Sequence, residues 1–232
     1  MFEAATGTEN APTAGWILPF DRQVRTWRKA SRRMKWHISR EEFAAVQPPH
    51  PLAAEDLEDG FIGSVLSYGF GDDGQGHADA VLSGRLAWDF ARSRFWQKTW
   101  QCRYIDFDQA DHFRLRPDAP PRPRGFYYTK FKPGDAFLSY TVSRFLKTLS
   151  GDTGCGPEGI QMIAVTHPHL ARWMNRRKIA FMTFADYDVA PYGFNDFFDC
   201  LQMFCSVDTL GLGIGNLDRN YPLFGIPTIR LR

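Results

Sequence analysis

The chain has 232 residues, 44% hydrophobic and 23% charged, with a net charge of +2. This is the composition of a globular protein, long enough for one large domain or two small ones, and its overall charge is too small to draw in a polyanion by itself. Four cysteines, Cys102, Cys155, Cys200 and Cys205, with no CxxC pair, exclude a disulfide scaffold. Phe, Trp and Tyr reach 15%, so rings should fill the core and also line contact faces. Met1 to Gly15 lacks the basic start and apolar stretch of a signal peptide, and no run of eighteen apolar residues occurs. The expectation is a cytoplasmic protein with no membrane span.

Residues 1–15 are small and polar and read as a flexible segment, leaving 16–232 as one domain. Arg22 to Ile38 has an amphipathic helical pattern, with Val24, Trp27, Met34 and Ile38 opposite Arg25, Arg28, Lys29, Arg32, Arg33 and Lys35. Ser39 and Glu42 form a capping-box pair for a helix ending before Pro48-Pro49. Gly60 to Phe70 suits a strand, residues 71–76 a glycine-rich turn, and His77 to Phe95 a helix weakened at Gly84. Thr99 to Phe107 alternates as a strand, Pro117 to Gly125 is a proline- and arginine-rich loop, and Phe126 to Phe131 is a strand. Asp135 can cap a helix to Leu149. Pro157 suits the first turn of another, and Pro168 separates it from a helix over 168–177. Ile179 to Ala185 is a buried strand, Asn195 caps a helix carrying Phe197, Phe198, Leu201 and Phe204, and Thr209 to Gly215 and Thr228 to Leu231 are strands. The fold class is α+β: a single mixed domain, with a central sheet built from the strands near 61–70, 99–107, 126–131, 179–185, 209–215 and 228–231.

Chemistry-bearing residues gather between Thr153 and Cys205. Cys155, flanked by Gly154 and Gly156 at a helix start, sits where a helix dipole favours thiolate and free amides can hold an oxyanion. His167 and His169, one residue apart across Pro168, can bind a metal or act as a base. Asp186 and Asp188 follow an apolar strand and can orient a histidine or take a hard cation. Each also has a structural reading: a tight turn at Cys155, a cap at His167, turn-making aspartates. The run Gly211, Gly213, Gly215 lacks dinucleotide-fingerprint spacing and reads as a cleared strand face. Arg122 and Arg124 can hold a carboxylate or phosphate.

Two functional readings follow. One is a hydrolase or group-transfer enzyme, with Cys155 as nucleophile, His167 or His169 as base, and Asp186 or Asp188 orienting it, or with the histidines and aspartates as metal ligands. The other is a non-catalytic binding module with aromatic-rich faces contacting a small molecule or a partner protein. No motif implies a cofactor. The basic helix with Trp27 and Trp36, and a helix-turn-helix pattern around Thr166, raise nucleic acid as a partner. The near-neutral chain and the apolar strand that follows the second pattern weigh against it.

Overall fold

The computed structural model describes residues 17–70, 75–94, 98–116, 118–134, 140–149, 151–170, 181–190, 199–205, 209–219, 224–226 and 228–231. The expected flexible segment 1–15, residues 71–74 of the expected turn, the helix caps at Asp135 and Asn195, Phe197 and Phe198 of the second of those helices, and the body of the helix expected over 168–177 lie outside them.

Helix α1 (Phe20–Arg33) turns Gln23, Val24, Trp27, Ala30 and Ser31 inward. Helix α2 (Arg40–Ala45) begins at a complete capping box, in which Ser39 Oγ accepts from Glu42 N–H and Glu42 accepts from Ser39 N–H. A short α3 (Ala54–Glu58) leads into strand β1 (Gly63–Phe70), and α4 (Gln75–Arg94) runs for twenty residues. Gly84 does not break α4; a side chain there would meet Ile160 and Phe107 at 3.5 and 3.7 Å. The expected strand over 99–107 is short, β2 (Lys98–Gln101), because turns begin at Arg103. A 3-10 turn (Ala110–His112) precedes β3 (Phe113–Leu115), and β4 (Arg124–Lys132) follows the proline-rich loop.

Helix α5 (Val142–Leu146) is capped by Thr141, and β5 (Thr153–Gly154) is a two-residue strand. Helix α6 (Pro157–Gln161) continues into a π-helical turn, Met162–Thr166, closed by His167 N–H donating to Met162 O at 2.6 Å. Pro168 disfavours helical backbone at the residue before it, and His167 leaves the helix there. The remaining strands are β6 (Phe181–Val189), β7 (Asp199–Cys205), β8 (Thr209–Asn216), β9 (Phe224–Gly225) and β10 (Thr228–Leu231).

The protein is mixed α+β, as the sequence pattern indicates, but its strands form two sheets. One is antiparallel in the order β1-β4-β10-β5; the other runs β2-β8-β7-β6-β3, with β9 parallel to β6. The helix expected around Leu201 and Phe204 is instead β7, paired on both sides by β6 and β8. Its apolar spacing fits either period, and pairing on both edges decides for strand. Leu201, Met203, Phe184 and Leu212 face the larger core, while Ala185 and Cys200 face a smaller one with Val142 and Phe145 of α5. The glycines of β8 clear a face as expected: a side chain at Gly211 would overlap the Phe204 ring, and one at Gly215 the Gln202 amide.

Strand β1 lies at the edge of its sheet, yet helical side chains occupy that edge. Gln23 accepts from Leu66 N–H at 2.7 Å and donates to Ser64 O, Trp27 Nε1 donates to Leu66 O at 2.8 Å, and Gln161 both accepts from Tyr68 N–H and donates to Tyr68 O. Buried backbone groups of an edge strand must find partners somewhere. Here α1 and α6 supply them, which fixes both helices in register with β1. Trp27 then packs among Trp36, Tyr68 and Phe126, with ring centroids 5.3 to 6.3 Å apart.

Candidate functional site

Cys155 follows β5 and leads into α6, and Asp186 sits in β6 on the other sheet. Pairing of β6 with β7 shifts between Phe184 and Asp188, so residues 185–187 bulge out of the ladder. A bulge re-aims side chains, and this one carries Asp186 to β5, where Asp186 N–H donates to Cys155 O at 3.2 Å. The aspartates thus lie within a strand longer than the pattern implies, and not after its end.

Asp186 enters a buried ionic cluster. Arg122, from the loop before β4, donates through Nη2 to Asp186 Oδ2 at 2.7 Å, through Nε to Glu158 Oε1 at 2.6 Å, and through Nη1 to Pro120 O at 2.6 Å. Tyr127 of β4 donates to the same Glu158 oxygen at 2.7 Å, Gly156 N–H donates to Glu158 Oε2 at 2.9 Å, and Thr153 Oγ1 donates to Asp186 Oδ2. Arg122 is 6% exposed, Glu158 3% and Asp186 1%, so the charges have little water around them. The loop arginine does hold carboxylates, and both are the protein's own.

The two acids differ. Burial pushes Glu158 up, but the Arg122 guanidinium, aided by Tyr127, more than reverses this and holds it below its ordinary range. Burial pushes Asp186 up, and Arg122 and Thr153 only partly offset it. The negative charge of Glu158 adds to the rise at Asp186, and hydrogen bonding widens the contrast. Both Glu158 oxygens are satisfied, whereas Asp186 Oδ1 has no partner among the described residues and lies where Gly154 leaves room, 2.7 Å from the position a side chain there would take.

Cys155 is fully buried. Burial, then the charges of Glu158 and Asp186, push its thiol well above the ordinary range. This is the reverse of what the helix-start position suggests: burial first, and then the charges of Glu158 in α6 and Asp186 in β6, outweigh a dipole contribution.

His167 does not join this cluster through its ring. Nε2 accepts from Leu18 N–H at 2.9 Å and Nδ1 lies 2.7 Å from Thr166 Oγ1, so Nδ1 carries the proton and both nitrogens are used. Burial, with the charge of His169 adding, pushes its pKa down to about 3. The His169 ring is 5.8 Å away, centroid to centroid, and half-buried. Asp188 lies beyond the bulge, held by Arg114 at 3.0 Å and Arg116 at 3.2 Å. Of the five residues singled out from the sequence, the structure therefore brings Cys155 and Asp186 together and commits His167 and Asp188 to other partners. Among the described residues, no three His, Cys, Asp or Glu side chains form a metal-ligand group.

A groove of about 530 Å³ opens on the surface next to this cluster. Ala45, Val46, Pro48 and Pro49 form one wall and Pro123, Phe126 and Tyr128 another, with Glu42, His50 and Tyr127 as polar points. Tyr128 donates to Gln47 O at 3.0 Å, tying the two walls. Tyr127 lines the groove and also donates to Glu158, so the groove and the ionic cluster share a residue. Pro48-Pro49 marks only a loop in the sequence, and nothing local to Phe126–Tyr128 says which rings face outward. No protein-family model, curated protein or solved structure matches this chain.

Two outcomes check this arrangement. Cys155 should stay unmodified by iodoacetamide in the native protein at pH 8 and react once unfolded in urea, as mapped by peptide mass spectrometry; native labelling at a free-thiol rate contradicts it. For His167 the folded pKa is about 3, against 6.5 for a free imidazole. The unfolded state therefore binds more protons between those values, and the stability the neutral ring contributes is complete above pH 6.5 and declines as pH falls. The stability difference between the protein and His167→Gln should shrink by about 1.4 kcal/mol per pH unit between pH 6 and 4 in urea titrations. A pH-independent difference contradicts it.

Proposed function

We propose that this protein is a binding module without chemistry of its own, and that the groove between α2 and β4 is its contact site. The observation that carries the reading is the groove itself: its volume lies in the range of ligand sites, its walls are prolines and rings, and it has few polar points. Both edges of β4 are already paired, by β1 and β10, so a partner cannot add a strand there and must engage through side chains. Proline and aromatic walls favour an extended, proline-bearing segment of a partner protein, which is ordered before binding and so loses little entropy. The enzyme reading has less support. Its nucleophile is a buried, protonated thiol, and its first candidate base has both nitrogens committed.

Fluorescein-labelled decaproline, followed by anisotropy, tests this. Saturable binding is expected, weakened at least tenfold by Ala45→Arg, which fills the groove from an exposed position while leaving the melting temperature unchanged. Absence of saturable binding, or equal binding by Ala45→Arg, contradicts the reading.

A further inference from the structure

Residues 22–40 contain eight cations, Arg22, Arg25, Arg28, Lys29, Arg32, Arg33, Lys35 and Arg40, and no acid. The chain's net charge is +2, so the remaining residues together carry −6. All eight side chains are exposed, and none has a carboxylate at ion-pair distance among the described residues. Elsewhere arginines are commonly paired: Arg85 with Asp89 and Asp108, Arg114 and Arg116 with Asp188, Arg230 with Asp56, Asp59 and Asp152. Surfaces ordinarily mix the two signs. Like charges three or four residues apart also destabilise a helix. Helix α1 carries six of these eight cations, and Gln23 and Trp27 hold its other face on β1.

We infer that the exposed face of α1 binds the phosphate backbone of double-stranded nucleic acid, independently of the groove. Arg22, Arg25, Lys29 and Arg32 follow one another at three- and four-residue steps along one side of the helix, about 4.5–6 Å apart along its axis. Six of the eight cations are arginine, whose forked donors match phosphate oxygens. Arg33 donates to Ser93 O, which places the end of α1 beside the exposed Arg94 at the end of α4 and extends the positive surface; Arg92 there is paired with Asp89. A membrane surface fits less well, because insertion needs exposed apolar side chains. The exposed large hydrophobics among the described residues are Leu57, Trp100 and Tyr104, none of them on α1. Trp27 and Trp36 are buried, which also removes the rings a single strand would stack on. What remains is a rigid row of cations suited to backbone charge, without readout of base sequence.

The test is anisotropy of a fluorescein-labelled 24-base-pair duplex with the full chain from 50 to 200 mM salt. Binding should be insensitive to sequence, with a log–log salt slope of about −4 for four neutralised phosphates. Arg25→Gln/Lys29→Gln/Arg32→Gln should weaken it at least thirtyfold while melting at or above the parent temperature, since the changes relieve like-charge repulsion. Undiminished duplex binding by that variant overturns the inference. So does binding to phosphatidylserine vesicles or polyglutamate equal to or tighter than binding to the duplex, or no duplex binding at 50 mM salt.

Discussion

Arg122 and its two carboxylates hold the two sheets to one another. The arginine comes from the loop leading into β4, Thr153 from β5, Glu158 from α6 and Asp186 from the β6 bulge, so one guanidinium ties together elements far apart in the chain. Burying three charges is unfavourable unless each is paired and hydrogen-bonded, and losing one member of such a group typically costs about 3–5 kcal/mol. Much of the local geometry follows from satisfying them. The bulge exists where Asp186 must leave the ladder, Gly154 leaves space for its second oxygen, and Gly159 lets α6 lie against the Phe184 ring. Cys155 is enclosed by the same arrangement, and burial beside Glu158 and Asp186 pushes its thiol up.

Local pattern carries a good deal of this fold. The helix expected over Arg22–Ile38, which ends already at Arg33, the capping box at Ser39–Glu42, the long helix through Gly84, and the strands at β4, β6, β8 and β10 are visible from period and caps. What local pattern cannot show is pairing. Strand β7 has apolar spacing compatible with a helix and becomes a strand because β6 and β8 flank it. The division into two sheets depends on partners about a hundred residues apart or more, as in the pairings of β10 with β4 and β2 with β8. The candidate site behaves the same way. Cys155 and Asp186 stand out as residue types, and their proximity is real, but nothing in the spacing indicates that Arg122 would reach Glu158 and Asp186, or that Leu18 would occupy His167.

In the proposed reading, Cys155, His167, Asp186 and Asp188 serve as internal supports, and contact with other molecules falls to the surface. Two surfaces flank α2: the proline- and ring-lined groove against β4, and the basic face of α1. Both are rigidly mounted. Side chains of α1 and α6 hold the edge of β1, and the cluster of Trp27, Trp36, Tyr68 and Phe126 binds α1 to the sheet whose outer rings line the groove. A surface held this firmly loses little freedom on binding, which favours recognition by shape and charge over induced ordering.

The most direct test is a thermodynamic cycle on the buried cluster, comparing Arg122→Met, the pair Glu158→Gln/Asp186→Asn, and all three changes together by urea denaturation. Each partial removal should cost about 3–5 kcal/mol, because it strands charge in the interior. The combined variant should cost about 3 kcal/mol less than the sum, because no unpaired charge remains. Costs that add to within about 0.5 kcal/mol would show that the three residues do not act as one unit, and that something else joins the sheets.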